Sequence, residues 1–252
     1  MTVAEQVVRG AGLRALLKQN VAGGAPALAD IEVRPDRVAG LRRPGSRPYR
    51  VLLIGGGVLE GRGLERREQG LPGQVAAQLA ERSGRGVDLD VIVESDPTSP
   101  QALQGLRGLR LLRYDAVVVV LGDRYATTGV RPGAWETMIS GLAKVLLAET
   151  AGTAPIFVYD AALLAPAFPS ARRTRAVAEQ GAQLAEVTAR ACALTGRIRF
   201  RELATPLQDR ELGSRFAAAT YLDWGDEIVS HLYPRLVQLD GWMGSDLSLI
   251  HI

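Results

Sequence analysis

Three consecutive glycines, Gly55, Gly56 and Gly57, form the first candidate for a site, because they directly follow the uncharged apolar run 51–54. Glycine lets a backbone turn sharply or approach a ligand closely, which is typical of a binding loop at a strand end. A dinucleotide-binding fingerprint needs another glycine at the position of Glu60, and a phosphate-binding P-loop needs a lysine that this region lacks. The glycines therefore predict the floor of a site and disfavour a nucleotide site.

Carboxylates surround this candidate in the sequence. Glu60 follows the glycines, and Glu94, Asp96 and Asp123 follow later apolar runs, with Arg124 beside the last of them. Such a cluster suits acid–base or divalent-metal chemistry, although an ion-pair network in a cleft is the more common arrangement. No cysteine and histidine have the spacing of zinc ligands. We therefore predict neither a metal nor a cofactor.

Nucleophiles and bases are few. Ser95, Thr98 and Ser99 follow the second apolar run, where Ser and Thr usually cap the next helix. Cys192 lies in an alanine-rich helical pattern and is predicted to be a buried thiol. His231 falls inside the last helical pattern, which favours a partly exposed helix residue over a catalytic base.

Five apolar runs that alternate with helical patterns must position these residues. This alternation predicts an α/β fold, a three-layer α/β/α sandwich around a parallel sheet of about five strands. The carboxyl ends of parallel strands meet at one edge, so Gly57 and Gly122 should lie together there. The strands are predicted at 49–54, 87–94, 114–121, 155–159 and 197–203. The helices are predicted at 71–83, around 103–109, and at 132–147, 170–194 and 223–239.

The two ends of the chain differ from this pattern. Residues 1–20 are predicted to form an amphipathic helix whose apolar face docks on the domain or on another copy, giving a homo-oligomer. Residues 22–48 are rich in Gly, Pro and Arg and are predicted to be an irregular arm. We therefore divide the chain into an N-terminal helix and arm (1–48), an α/β domain (49–240) and an unstructured tail (241–252) that resembles a cloning-derived end.

Composition excludes several classes of protein. The apolar fraction of 47% supports a large core, yet no run reaches the roughly 18 apolar residues of a membrane span. The net charge of +3 comes with dispersed arginines, which argues against nucleic-acid binding. A single cysteine excludes an internal disulfide, and the missing signal-peptide pattern predicts a cytoplasmic protein.

Four motifs in register carry a resemblance to a known family. Residues 53–61 correspond to an apolar strand followed by Gly-Asp-Ser and a later Gly, and Leu71-Pro72 corresponds to the entry of the first helix. Residues 114–122 correspond to the strand before Gly-x-Asn-Asp, and residues 225–234 to the closing helix after Asp-x-x-His. From about residue 49 to residue 239 the chain thus resembles the SGNH hydrolases, the GDSL esterase and lipase superfamily.

The resemblance implies a cleft without the catalytic residues of that family. The nucleophile position carries Gly57, and the oxyanion-hole asparagine position carries Arg124. Counting back from the closing helix places Thr220 at the base position and Ala217 at the orienting acid. The residues expected to line this cleft are Gly55, Gly56, Gly57, Glu60, Ser95, Asp96, Asp123, Arg124, Tyr125 and Thr220.

These residues predict a pseudoenzyme that binds a small ligand or a protein partner in the cleft without serine-hydrolase chemistry. The alternative is an active esterase, lipase or acyltransferase whose catalytic groups have moved to other positions. A nucleotide-binding α/β domain is the least favoured hypothesis.

Overall fold

The structure, a computed structural model, describes residues 39–61, 64, 66–94, 96–121, 124–160, 170–203 and 218–246. The predicted N-terminal helix at 1–20 lies outside these residues and stays a prediction.

One mixed sheet of six strands forms the centre of the fold, in the order β1-β3-β2-β4-β5-β6. Strands β2 to β6 are all parallel to one another and coincide with the five apolar runs, so the predicted parallel sheet is confirmed. β4 consists of Ala, Val and Leu alone and is buried along its whole length, as expected for a strand covered on both faces. The strands are β1 (Ala39–Arg43), β2 (Tyr49–Gly55), β3 (Val87–Val93), β4 (Ala116–Leu121), β5 (Ile156–Asp160) and β6 (Ile198–Glu202).

The sixth strand, β1, corrects the sequence-based prediction of an irregular arm. It pairs antiparallel with β3, with Ala39 opposite Val91 and Arg43 opposite Val87. Arg42 also makes ion pairs with Asp88 at 3.2 Å and with Asp90 at 3.1 Å. Strand prediction depends on a periodic pattern of apolar residues, and a five-residue strand held by ion pairs to distant residues has no such pattern. The α/β domain therefore includes β1 from Ala39 onward, and does not begin at residue 49.

Helices cover both faces of the sheet, which confirms the three-layer α/β/α architecture. One core cluster joins the sheet to α1 and α6, and the other joins the opposite face to α2, α4 and α5. No helix among the described residues is both long enough and apolar enough to cross a membrane. The helices are α1 (Leu71–Ser83), α2 (Pro100–Gly108), α3 (Arg124–Thr128), α4 (Pro132–Glu149), α5 (Ala171–Ala193) and α6 (Ala218–Asp246).

The closing helix α6 is longer than its sequence pattern indicated. It continues to Asp246, so the prediction of an unstructured tail is wrong for residues 241–246, and residues 247–252 lie outside the described part. α6 crosses α1 closely at Gly225, where an added Cβ would lie 2.7 Å from Cβ of Gln74. This crossing anchors the first turns of α6 next to the carboxyl edge of the sheet.

Candidate functional site

The turn after β2 forms the centre of the carboxyl edge. β2 ends at Gly55, residues Gly57–Glu60 make one 3₁₀ turn, and Gly61 follows with a left-handed φ of 62°. A Cβ at position 55 would lie 2.5 Å from the carbonyl oxygen of Val120 on β4. Gly55 is therefore required by the close packing of two strands, whereas Gly56 and Gly57 lie at the start of the 3₁₀ turn.

The loop after β3 is tied to this turn by backbone and carboxylate contacts. The Glu94 N–H donates to the Gly55 carbonyl oxygen at 2.7 Å. The Glu94 side chain is only 7% exposed, and its Oε1 accepts the Asp96 N–H at 2.9 Å. The contacts of Glu94 thus fix Asp96 beside the glycine turn, although 39 residues of sequence separate Gly55 from Glu94.

Asp96 collects three hydrogen bonds, all on the same oxygen. Its Oδ1 accepts the Thr98 N–H at 3.1 Å, the Thr98 hydroxyl at 2.6 Å and the Tyr125 hydroxyl at 2.8 Å. Tyr125 is buried on α3, and its ring centroid lies 4.3 Å from that of Trp135 on α4. The structure therefore brings Asp96 and Tyr125 together, and Oδ2 of Asp96 has no donor among the described residues.

The hydroxyl groups in this loop have structural roles. Ser99 Oγ accepts the Ala102 N–H at 3.1 Å and caps α2, which confirms the predicted cap. Thr98 is 4% exposed and donates its hydroxyl to Asp96. Ser95 lies outside the described residues, as do Asp123 and the side chain of Arg124.

The first turns of α6 form the other wall of this edge. Burial and the negative charge of Glu60 raise the pKa of Tyr221 to about 12, which places Glu60 near the start of α6. Thr220 is buried inside the first turn of the helix. The resemblance, in contrast, puts a catalytic base ahead of the closing helix. Ala217, the position implied for the orienting acid, lies outside the described residues.

His231 lies away from the glycine turn. It is ten residues beyond Tyr221, roughly 15 Å along the helix axis. Its Nδ1 is 3.1 Å from the Tyr159 hydroxyl oxygen. Burial and the positive charge of Arg201 lower the pKa of His231, against an opposing effect of Glu227. The prediction of a partly exposed helix residue is confirmed.

Asp160 is a residue of this edge that the sequence analysis did not single out. It is the last residue of β5 and is only 6% exposed, and its backbone oxygen accepts the Leu203 N–H at 3.2 Å. The available signal was an acidic residue directly after the apolar run 156–159. No group of three or more His, Cys, Asp and Glu side chains within the described ranges is arranged to hold a metal ion.

Described residues form two cavities that are separate from the predicted cleft. One, of about 790 Å³, lies between the outer faces of α1 and α6. The other, of about 340 Å³, lies at the amino edge of the sheet next to Tyr49, Arg85 and Asp240. Neither contains a residue of the predicted cleft.

Comparisons with known proteins agree with this architecture. No protein-family model matches the sequence, and no curated protein does. Two solved structures that it matches are a carbohydrate acetylesterase from Sinorhizobium meliloti and the native aryl esterase of M. smegmatis, each with a TM-score of 0.53. Their identities are 15% and 18%, and in both cases the match covers 74% of this chain and 99% of the other.

A salicylyl-acyltransferase from a tetracycline biosynthetic pathway also matches, with a TM-score of 0.51 and 12% identity. That match covers 72% of this chain and 53% of the acyltransferase, so the chain spans about half the length of that protein. Identities this low establish a shared fold and no shared activity. The chain has the α/β/α fold of the SGNH hydrolases.

Proposed function

We propose that this chain binds a small ligand or a protein partner at the carboxyl edge of its sheet, without serine-hydrolase chemistry. The observation that carries the proposal is the turn after β2, which has Gly57 where the resemblance implies the nucleophilic serine. Acyl transfer through an enzyme-bound ester needs a hydroxyl or thiol beside a base. Glycine supplies neither group.

The described surroundings of Gly57 support the proposal. His231 is the only histidine in the described part of the chain, and it lies about halfway along α6 beside Tyr159. Ser99 caps a helix, and Thr98 is buried. None of these groups is both accessible and next to a base at the glycine turn.

The same edge offers acceptor atoms to a ligand. A carboxylate has acceptor positions on both oxygens, and the described donors of Asp96 all use Oδ1. Oδ2 is therefore placed to accept from a hydroxyl or amine group. One of the structural neighbours is a carbohydrate acetylesterase, and we propose that a hydroxyl-rich ligand such as an acetylated sugar binds here.

A reactivity assay tests the absence of hydrolase chemistry. We expect no labelling by a fluorophosphonate probe and no burst with p-nitrophenyl acetate, with an active serine esterase as the positive control. Removing the nucleophile of a serine hydrolase costs about a millionfold in rate. Gly57→Ser alone should also stay inactive, because the one histidine that the structure describes lies beside Tyr159 and Thr220 cannot act as a base near neutral pH. Stoichiometric labelling of the natural sequence would contradict the proposal.

A binding assay tests the ligand. An acetylated xylo-oligosaccharide should raise the thermal midpoint of the chain, and Asp96→Asn should abolish this rise. The asparagine keeps an acceptor at the Oδ1 position and replaces Oδ2 by a donor. Asp88→Asn, at the amino end of β3, is the matched control, and its thermal midpoint should rise as much as that of the natural sequence. Equal responses of all three proteins would exclude Asp96 from the site.

The second candidate function is an esterase or acyltransferase with relocated catalytic groups. The observation that favours it is the contact of 2.6 Å between the Thr98 hydroxyl and Asp96, since a hydroxyl next to a carboxylate is one arrangement of an activated nucleophile. Under this hypothesis the fluorophosphonate label would map to Thr98 and disappear in Thr98→Val.

A further inference from the structure

The outer edge of β6 is unpaired within the described part of the chain. β6 is the last strand in the sheet order and pairs with β5 on one side, and no described residue pairs with its other side. An open edge presents unpaired backbone N–H and C=O groups, which are able to pair with another extended chain.

One face of this edge is cationic. Arg199 and Arg201 lie opposite Phe157 and Tyr159 of β5, whose rings belong to the core cluster beneath α6. Both arginines therefore project on the α6 side of the sheet. Arg235 lies on α6 about one helical turn beyond His231, whose Nδ1 is 3.1 Å from the Tyr159 hydroxyl oxygen on this side of the sheet. Burial, together with the charges of Arg235 and Arg201, lowers the pKa of Arg199.

The three guanidinium groups form no ion pair with a carboxylate that the structure describes. None of them lies within 4.0 Å of a carboxylate oxygen in the described part of the chain. Arg201 donates to the Phe200 carbonyl oxygen at 2.9 Å and Arg235 to Gln238 Oε1 at 3.1 Å. Glu227 of α6 is the nearby carboxylate, since its charge and that of Arg201 act in opposite directions on His231 and on Tyr159. Three guanidinium groups and one carboxylate leave an excess of positive charge, so an anionic partner would be attracted to this face.

The opposite face of β6 begins with two apolar residues. Ile198 is buried and Phe200 is half-buried, and both belong to the core cluster on the α5 side. Glu202, which ends the strand, lies on this same face and is exposed. The edge therefore presents positive charge on one face, and on the other the hydrocarbon of Ile198 and Phe200 followed by one carboxylate.

We propose that this edge binds an extended segment of a partner protein in which acidic residues alternate with apolar residues. The segment adds a strand beside β6, and its backbone pairs with the open edge. Because side chains alternate between the faces of a strand, the acidic residues meet the three arginines and the apolar residues extend the face of Ile198 and Phe200. The open backbone favours a polypeptide over a small anion, which would use the arginines alone.

Fluorescence polarisation with a labelled peptide that alternates aspartate and valine tests the proposal on the full chain. We expect saturable binding that weakens with added salt. The double variant Arg199→Gln/Arg201→Gln should bind at least about tenfold more weakly, equivalent to about 1.4 kcal/mol. Arg172→Gln/Arg175→Gln removes the same charge from the exposed start of α5 and should bind like the natural sequence.

Two further peptides separate strand addition from simple charge attraction. A peptide of the same composition with all its aspartates in one block, and an alternating peptide with methylated backbone amides, should each bind at least about tenfold more weakly. Undiminished binding of either peptide would overturn the proposal, as would equal binding by both arginine double variants. Displacement of the alternating peptide by an equal concentration of pyrophosphate would also overturn the proposal and indicate a small-anion site. Absence of binding would overturn it as well, and the arginines would then serve only to prevent the edges of two copies from pairing.

Discussion

Two carboxylates of β3 differ in the number of hydrogen-bond donors that surround them. Asp90 is buried in β3, yet it accepts from the Tyr114 hydroxyl at 2.7 Å, from Arg113 at 2.8 Å and from Arg42 at 3.1 Å. Asp88, two residues earlier on the same strand, has a side chain 34% exposed, and among the described residues it pairs with Arg42 only. Buried charges are tolerated when donors surround them, so Asp90 holds the contacts between β1, β3 and the segment before β4.

Asp90→Asn should lower the free energy of unfolding by about 2 kcal/mol, because hydrogen bonds to a charged group contribute about 1.5–3 kcal/mol. The loss also leaves two arginines without their shared counter-charge. Asp88→Asn is the matched control, with an expected change below about 0.5 kcal/mol for an exposed pair. Urea denaturation of both variants measures the difference, and equal stabilities would contradict the assigned role of Asp90.

A second residue-scale contact makes stability depend on pH. Tyr49 and Arg85 both donate to Asp240, and the Arg85 guanidinium lies 3.8 Å from the centre of the Tyr49 ring. Burial and the Asp240 contact raise the pKa of Tyr49 to about 12. Burial alone would raise the pKa of Asp240, but the hydrogen bonds from Tyr49 and Arg85 outweigh it and hold that pKa below its ordinary value of 3.8.

A carboxyl whose pKa is lowered by folding stabilises the folded state above its ordinary pKa, and this stabilisation is lost as the pH falls through the folded-state pKa. Asp240→Asn should therefore destabilise the chain at pH 7 by about 1 kcal/mol, a modest value because the pair is partly exposed. The difference from the natural sequence should shrink below about pH 3.5. Urea midpoints at the two pH values measure it, and a constant difference would refute the linkage.

The elements divide into those that local sequence predicts and those that it does not. Val117 to Val120 could be recognised as a strand because a continuous β-branched run carries its own signal. β1 could not be recognised, since it is held by backbone pairing and by contacts between Arg42 and aspartates about 46 to 48 residues away. The last turns of α6 were missed because Gly241 and the polar residues after it weaken the helical pattern.

The glycine that ends β2 offers a prediction at the scale of strand packing. Gly55→Ala would place a methyl group 2.5 Å from the Val120 carbonyl oxygen, a backbone atom of the central strand β4. Such overpacking should cost about 1–3 kcal/mol in the free energy of unfolding. Gly133→Ala in the first turn of α4, where an added Cβ meets no atom within 4 Å, should be neutral or slightly stabilising. Equal effects would refute the steric role of Gly55.

At the scale of the whole molecule, the edge that carries the candidate site was predictable, whereas its contacts were not. Parallel strands whose apolar runs end in Gly55 and Leu121 fix where loops converge, and this follows from the order of elements. The Tyr125–Asp96 hydrogen bond joins residues 29 apart in sequence, and nothing local in either segment predicts it. The position of a site is thus a property of topology, and its chemistry depends on long-range contacts.

The revised domain boundary changes how the N-terminal segment must be tested. Deleting residues 1–20 should change the solubility or the oligomeric state seen on a sizing column, because an amphipathic helix needs a surface against which to bury its apolar face. Deleting residues 1–48 also removes β1 and the contacts of Arg42 with Asp88 and Asp90, and should in addition lower the free energy of unfolding by at least about 2 kcal/mol.

A deletion of residues 1–38 separates the two effects, since it spares β1. It should elute like the 1–20 deletion and unfold at the same urea concentration as that deletion, while the 1–48 deletion should be less stable than both. Unchanged elution and unchanged thermal stability after removal of residues 1–20 would refute the docking of that segment. Equal stability of the 1–38 and 1–48 deletions would show that β1 contributes nothing to the fold, in conflict with its pairing along β3.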